Sequence, residues 1–276
     1  MVTSLKDTTT LHNGVKMPWF GFGVYKVEDG SEVIDSVKAA IKAGYKSIDT
    51  AAVYKNEEGV GQAIRECGVP REELFITSKV WNADQGYETT IEAYETSLKK
   101  LGLEYLDLYL IHWPVEGKYK DTWRALEKLY KDGRVKAIGV SNFHIHHLED
   151  LLVDAEIKPM VNQVEYHPHL TQEALHSFCK KADIQLEAWS PLKQGELLKD
   201  EAINEIAKKY GKSAAQVILR WDLQNDVITI PKSIKEKRII DNANIFDFTL
   251  SAEEMTRINN LNKNERVGPD PDNFDF

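Results

Sequence analysis

Cysteine is scarce in this chain. Only Cys67 and Cys179 occur among 276 residues, and their separation matches neither a metal-ligand nor a redox spacing. That excludes a disulfide scaffold and makes a reducing, cytoplasmic setting the expectation. Long hydrophobic runs are missing too. Nowhere do ~18 apolar residues follow one another, so no membrane-spanning helix is expected, and the opening MVTSLKDTTT lacks the apolar core of an export signal. Positive charge is short: 35 Lys and Arg against 44 Asp and Glu give a net charge of −9, which argues against a nucleic-acid partner. The densest basic cluster, Lys235 to Arg238, is too short for a polyanion but could hold a single phosphate. No composition break or short sequence repeat marks a linker or a solenoid, so residues 1–276 read as one domain.

What the sequence does contain is alternation. Thr8 to Leu11 and Val15 to Pro18 flank His12-Asn13-Gly14, a hairpin signal. Short apolar runs predict eight strands: Trp19–Val24, Ser47–Asp49, Leu74–Lys79, Leu106–Ile111, Val135–Val140, Met160–Val164, Ile184–Ala188 and Val227–Ile230. Between them, segments with helical spacing predict helices over Ser31–Ala43, Glu57–Cys67, Tyr87–Leu101, Asp121–Lys131, His146–Val153, Thr171–Lys181, Ala202–Tyr210 and Ser213–Leu223. Thr171 is the expected cap of its helix, and a last helix is expected over Ser251–Leu261 before a tail from Gly268 to Phe276. Eight strands alternating with helices imply an α/β fold, a parallel (β/α)8 TIM barrel with an N-terminal β-hairpin cap and extra C-terminal helices. A doubly wound open sheet is the alternative, but the first strand–helix junction lacks G-x-G-x-x-G spacing.

In such a barrel, function belongs at the strand C-termini. The runs end in Asp49, Lys79, His112, Ser141-Asn142, Asn162-Gln163, Trp189-Ser190 and Lys232-Ser233. Any one of these polar residues could be an ordinary helix cap or a satisfied core residue. Three consecutive strands ending in a carboxylate, an amine and an imidazole read as an active site, since a carboxylate at a buried strand end needs a partner.

These residues lie in GYKSIDTAAVYKNEEGVG, TSKVW, LDLYLIHWP, GVSNF, NQVEYHP, AWSPL and IPKSIKEKRIIDNANIFDF. The motifs, in this order and across nearly the whole length, resemble the aldo-keto reductase family, and most closely its bacterial glyoxal, methylglyoxal and 2,5-diketo-D-gluconate reductases. Lys46 and Ser47 depart from that pattern, which usually has arginine and often histidine there. The resemblance implies an NADP(H)-dependent reductase of small carbonyl compounds, with Asp49, Tyr54, Lys79 and His112 as catalytic tetrad. Reducing a carbonyl needs a proton for the developing alkoxide. Tyr54 is a sensible donor, Lys79 would lower its pKa, Asp49 would orient Lys79, and His112 would hold the carbonyl oxygen.

Matching motif to motif, the resemblance implies cofactor contacts from Gly23, Val24 and Asp49. Ser141, Asn142 and Gln163 would hold the nicotinamide carboxamide, and Trp189 would stack on its ring. Ser190, Pro191 and Leu192 would run along the pyrophosphate. Lys232, Ser233 and Arg238 would hold the 2′-phosphate, which favours NADP over NAD, and Asp241 and Asn242 would meet the adenine. Tyr25, Tyr54, Trp81, His112 and Trp113 would line the substrate mouth. The short Pro114–Tyr119 connection and brief tail predict an open site tolerant of small aldehydes, ketones and dicarbonyls. A monomer with no metal is expected. Phe143-His-Ile-His-His147 resembles a metal tract but lacks nearby cysteine or acidic ligands, and reads as a surface helix start. Two rival readings are a Schiff-base aldolase using Lys79 and a cofactor-binding protein without catalysis.

Overall fold

The hairpin forms first in the chain. In the computed structural model, which describes residues 2–276, β1 (Thr8–Thr10) pairs antiparallel with β2 (Lys16–Pro18). Gly14 takes φ 89° in its turn, a conformation that residues with a Cβ rarely adopt. Asn13 donates to the Lys136 carbonyl, His12 reaches the carbonyls of Lys158 and Pro159, and Thr9 meets Gln185. All four partners lie at the beginnings of strands, so the hairpin closes the end of the barrel opposite the strand C-termini.

Eight strands follow: β3 (Gly21–Gly23), β4 (Ser47–Asp49), β5 (Phe75–Val80), β6 (Leu106–Ile111), β7 (Val135–Ser141), β8 (Val161–Glu165), β9 (Gln185–Trp189) and β10 (Ile228–Thr229). They pair in sequence order and all in parallel. A parallel bridge between Phe20 and Thr229 brings the last strand back to the first, and Gly23 N–H donates to Pro231 O at 3.2 Å. Such strands are buried on both faces, which is why they read as apolar runs rather than alternating ones. The barrel is therefore closed and its polar strand ends share one rim.

The surrounding helices are α1 (Ser31–Lys42), α2 (Glu57–Glu66), α3 (Tyr87–Leu101), α4 (Tyr119–Lys131), α5 (Ile145–Asp154), α6 (Glu173–Ala182), α7 (Glu201–Tyr210), α8 (Ala214–Gln224), α9 (Glu236–Ala243) and α10 (Ala252–Asn259). Ser213 with Gln216, and Ser251 with Glu254, form reciprocal capping boxes that set the starts of α8 and α10. Gly102 and Gly211 end α3 and α7 in the left-handed conformation. One sequence expectation needs correction, and one helix was not anticipated. Thr171 does not cap α6: Gln172 holds that position with φ 43°, while Thr171 N–H donates to Asn262. The basic stretch after β10 is itself helical as α9, which buries Ile239 and Asn242 beneath its exposed charges. Its charge density hid a short helix whose cap, Lys235, makes no side-chain capping bond.

Close approaches fix the helix layer. A Cβ on Gly61 in α2 would lie 2.0 Å from the Leu101 carbonyl oxygen at the end of α3, and backbone there cannot yield cheaply. Gly61→Ala is expected to destabilise the protein by about 1–3 kcal/mol through this overpacking. An unchanged melting temperature would show that the two helices can separate without cost.

Candidate active site

The barrel gathers the polar strand ends. Asp49 ends β4, Lys79 is the penultimate residue of β5, and His112 directly follows β6. Lys79 is fully buried, and its Nζ donates to Asp49 Oδ1 at 2.7 Å and to the Thr50 carbonyl at 2.9 Å. It also lies 3.4 Å from the Tyr54 hydroxyl. Tyr54 sits on a single 3-10 turn, Ala52–Tyr54, that leaves the strand end. Buried Asn56 secures this turn: its Oδ1 accepts from Thr50 Oγ1, and its Nδ2 donates to the Val24 and Val27 carbonyls. The ring of His112 meets Tyr54 edge-on at 5.7 Å and Trp81 at 5.2 Å, while Tyr25 lies 5.1 Å from Tyr54. The four predicted catalytic residues and the mouth aromatics Tyr25 and Trp81 thus converge.

Burial decides the electrostatics. It pushes the Tyr54 phenol up to about 12; Lys79 pulls it part of the way back, and Asp49 opposes that pull. Lys79 thus lowers the phenol as expected, but desolvation outweighs the ammonium. Burial also pulls on the Lys79 ammonium, but attraction to Asp49 and Tyr54 outweighs it and holds the group above its ordinary value. His112 is held well below the usual imidazole range by burial and then by Lys79, so the ring is neutral. Its Nδ1 is buried without a partner. At neutral pH the site therefore presents an ammonium, a protonated phenol and a neutral imidazole.

Beside this cluster lies a second network. Ser141 Oγ donates to the Gln163 carbonyl at 2.7 Å, Asn142 Nδ2 to the His112 carbonyl at 3.0 Å, and Trp189 Nε1 to Asn142 Oδ1 at 2.9 Å. Asn142 and Ser190 both take positive φ, turning the chain inward at the ends of β7 and β9. Gln163 Nε2 donates to Asp49 Oδ2 and to Glu187 Oε2, each at 2.8 Å, linking this network to the ion pair. Pro191 is buried and Leu192 half-buried beyond β9. Lys232 and Arg238 are exposed with no acidic partner among the described residues, and Ser233 is buried between them in sequence. Asp241 pairs within α9 with Lys237, and Asn242 is buried. Val24 is buried with its N–H donating to Asp49 O and its C=O accepting from Asn56, which leaves it no free backbone polar group. Gly23 N–H is likewise taken, by Pro231.

The tail corrects the expectation of an open mouth. Val267 and Gly268 donate their N–H groups to the buried Glu165 carboxylate at 2.6 and 3.0 Å, and a Cβ on Gly268 would lie 2.3 Å from the Trp189 ring. Farther on, Phe276 stacks on Trp81 at 5.8 Å and meets Trp113 edge-on at 5.2 Å; Phe274 also packs on Trp113. Asn82 Nδ2 donates to the Phe276 carbonyl at 3.0 Å. Trp113 is therefore buried, and two phenylalanines absent from the sequence-based site join its wall.

The histidine tract anchors this strap. The acidic groups it lacked in sequence arrive from the tail: Asp270 lies 3.2 Å from His144 Nε2, and Asp272 lies 2.6 and 3.4 Å from His146 and His147 Nε2. His147 Nδ1 accepts the His144 backbone N–H, and burial with its histidine neighbours holds the ring down to about 4. Its single proton therefore sits on Nε2, facing Asp272. The carboxylates of Asp270 and Asp272 thus draw three imidazoles and the tail together, and His146 and His147 with Asp272, like His144 with Asp270 and Asp272, bring their donor atoms close to one another.

Comparisons agree with this architecture. Residues 20–263 match the model of the aldo/keto reductase family. The chain is 72% identical to glyoxal reductase of Bacillus subtilis (strain 168), with all of both chains covered. It is 46% identical to methylglyoxal reductase DkgA of Escherichia coli (strain K12), covering 96% of each. The crystal structure of a Gox0644 mutant in complex with NADPH superposes with a TM-score of 0.93 at 45% identity, covering 98% of both chains.

Asp272→Ala removes an exposed carboxylate that faces the histidine tract. Carboxypeptidase should then remove Phe276 roughly fivefold faster, as expected for losing about 1 kcal/mol of exposed ion-pair and hydrogen-bond energy, with the melting temperature little changed. An unaltered digestion rate would mean that the aromatic contacts alone hold the tail.

Proposed function

The chain belongs to the aldo/keto reductase family, an NADP(H)-dependent oxidoreductase fold, and we propose that it reduces small dicarbonyls of the glyoxal and methylglyoxal class with Tyr54 as general acid. The observation that carries this reading is the convergence of Tyr54, Lys79, Asp49 and His112 at one rim, with the phenol hydroxyl 3.4 Å from the ammonium. The substrate class is supported by the names of the relatives and by the aromatic wall of Trp81, Trp113, Phe274 and Phe276, which narrows the mouth to small compounds.

Bound NADPH supplies the hydride. The residues present fit it: both N–H bonds of the Gln163 amide are engaged by carboxyl groups, so its oxygen is the end left to accept from a carboxamide. Lys232 and Arg238, free of acidic partners, suit a phosphate dianion, and Ser233 adds a hydroxyl.

The chain's own groups manage the proton. A phenol held at about 12 stays protonated at neutral pH and donates only to a strongly basic oxygen, which is what a carbonyl oxygen becomes as negative charge develops on it. Lys79 stabilises the phenolate left behind, and Asp49 holds Lys79 in place. Neutral His112 donates a hydrogen bond to the same oxygen without competing as an acid.

Tyr54→Phe should lower kcat for methylglyoxal by about 10²–10⁴-fold, the usual worth of a positioned general acid, while NADPH still binds. NADPH oxidation at the wild-type rate would remove Tyr54 from this role. Arg238→Ala should weaken NADPH binding by about tenfold and leave NADH binding nearly unchanged, because a charge-assisted contact is worth about 1.5 kcal/mol. Equal losses for both cofactors would place the 2′-phosphate elsewhere.

A further inference from the structure

Glu187 is a carboxylic acid in the middle of β9, in the otherwise apolar run Ile184-Gln-Leu-Glu-Ala188, and it is 1% exposed. Across the β8–β9 ladder it is the register partner of Gln163. The Gln163 amide nitrogen donates to Glu187 Oε2 and to Asp49 Oδ2, both at 2.8 Å. An amide nitrogen has two hydrogens, so both are used here. Two carboxyl groups therefore share one amide, and only Asp49 has the ammonium of Lys79 against it.

We propose that Glu187 is a positioning residue of the hydride-transfer site: it fixes which end of the Gln163 amide faces the cofactor and adds a second ionisable carboxyl beside Asp49. The first part follows from hydrogen-bond chemistry. A carboxylate only accepts, so the amide nitrogen must turn toward Asp49, and Glu187 holds the second N–H on the same side. The amide oxygen is left facing the cofactor side. The second part follows from charge count. Lys79 balances Asp49, so an ionised Glu187 would leave this buried cluster one negative charge in excess. Burial and then repulsion by Asp49 raise the Glu187 carboxyl to about 8, against opposing pulls from the Gln163 hydrogen bond and Lys79. Asp49 and Lys79 are the titratable groups acting on it; Gln163 on β8 and Ile228 on β10, its register partners, are neutral.

The consequence reaches the cofactor's redox state. This step rests on the reading that Gln163 holds the nicotinamide carboxamide. The oxidised ring carries a positive charge that the reduced ring lacks, so ionised Glu187 favours NADP⁺ over NADPH. By linkage, the preference must grow as pH rises through the Glu187 value and be small below it.

The test is a pair of fluorescence titrations with NADP⁺ and NADPH between pH 7 and pH 9.5, a range chosen to bracket the raised carboxyl. In the wild type, the ratio of Kd for NADP⁺ to Kd for NADPH should fall by about threefold or more across this range. In E187Q, which keeps an acceptor for Gln163 but cannot ionise, the ratio should stay flat while NADPH affinity at pH 7 is retained. E187L, which removes the acceptor, should weaken both cofactors at every pH. A flat wild-type ratio, or an E187Q ratio that follows the wild type, overturns the proposal. The wild-type measurement decides the matter even where a variant fails to fold. Binding is read without turnover, so failure to reduce methylglyoxal would sink the substrate assignment and leave this result standing.

Discussion

A lysine ammonium buried at the centre of a barrel rim needs an anion against it, and the pairing of Lys79 with Asp49 is the contact on which the rest of the mouth depends. Each charge alone would carry a desolvation cost of several kcal/mol, and deleting one partner of such a pair typically costs about 3–5 kcal/mol. The geometry comes from neighbouring parallel strands, β4 and β5: Asp49 is in register with Thr77, and Lys79, two residues farther along β5, reaches the Asp49 carboxylate with its long side chain. Once the pair is in place, Tyr54 is placed by the turn that Asn56 secures, Gln163 is oriented by Asp49, and His112 is kept neutral in part by the nearby cation. One ion pair therefore organises an acid, an orienting imidazole and a cofactor-facing amide.

The C-terminal strap is the second organising element. It starts on Glu165 beside Trp189, crosses to the histidine tract, and ends with Phe276 on Trp81 and Trp113. The same ten residues thus touch the side of the rim assigned to the cofactor and the wall assigned to the substrate. Their hold is graded: two backbone amides on a buried carboxylate at one end, exposed imidazole–carboxylate contacts in the middle, and aromatic packing at the tip. Exposed contacts of this kind are individually weak, so most of the order comes from the buried end and the rings.

Much of this was legible in the chain. Strand ends bearing Asp49, Lys79 and His112 announced a rim because apolar runs of similar length alternate with helical periods, and that pattern admits few folds. The less legible features share one cause. Glu187 looks like an odd residue in a strand until Gln163 and Asp49 are brought beside it. Asp270 and Asp272 lie 126 residues from His144 and His146 respectively, a separation no local pattern reports. The charge density of the segment around Lys235 to Arg238 masked α9, and Thr171 lost the cap position to Gln172. The pull of Lys79 on the Tyr54 phenol could be read from the motifs, whereas the desolvation that outweighs it could not.

By itself, then, the sequence determined the barrel, the order of its strands and the identity of the polar residues at its rim, since periodicity and burial are properties of short segments. Only the tertiary structure decided how those residues act on one another: which carboxyl has a cation, which amide bridges two acids, how far burial outweighs charge, and that a brief tail covers the substrate wall. These are distances and solvent exposures between segments remote in the chain, and they exist only once the barrel has closed.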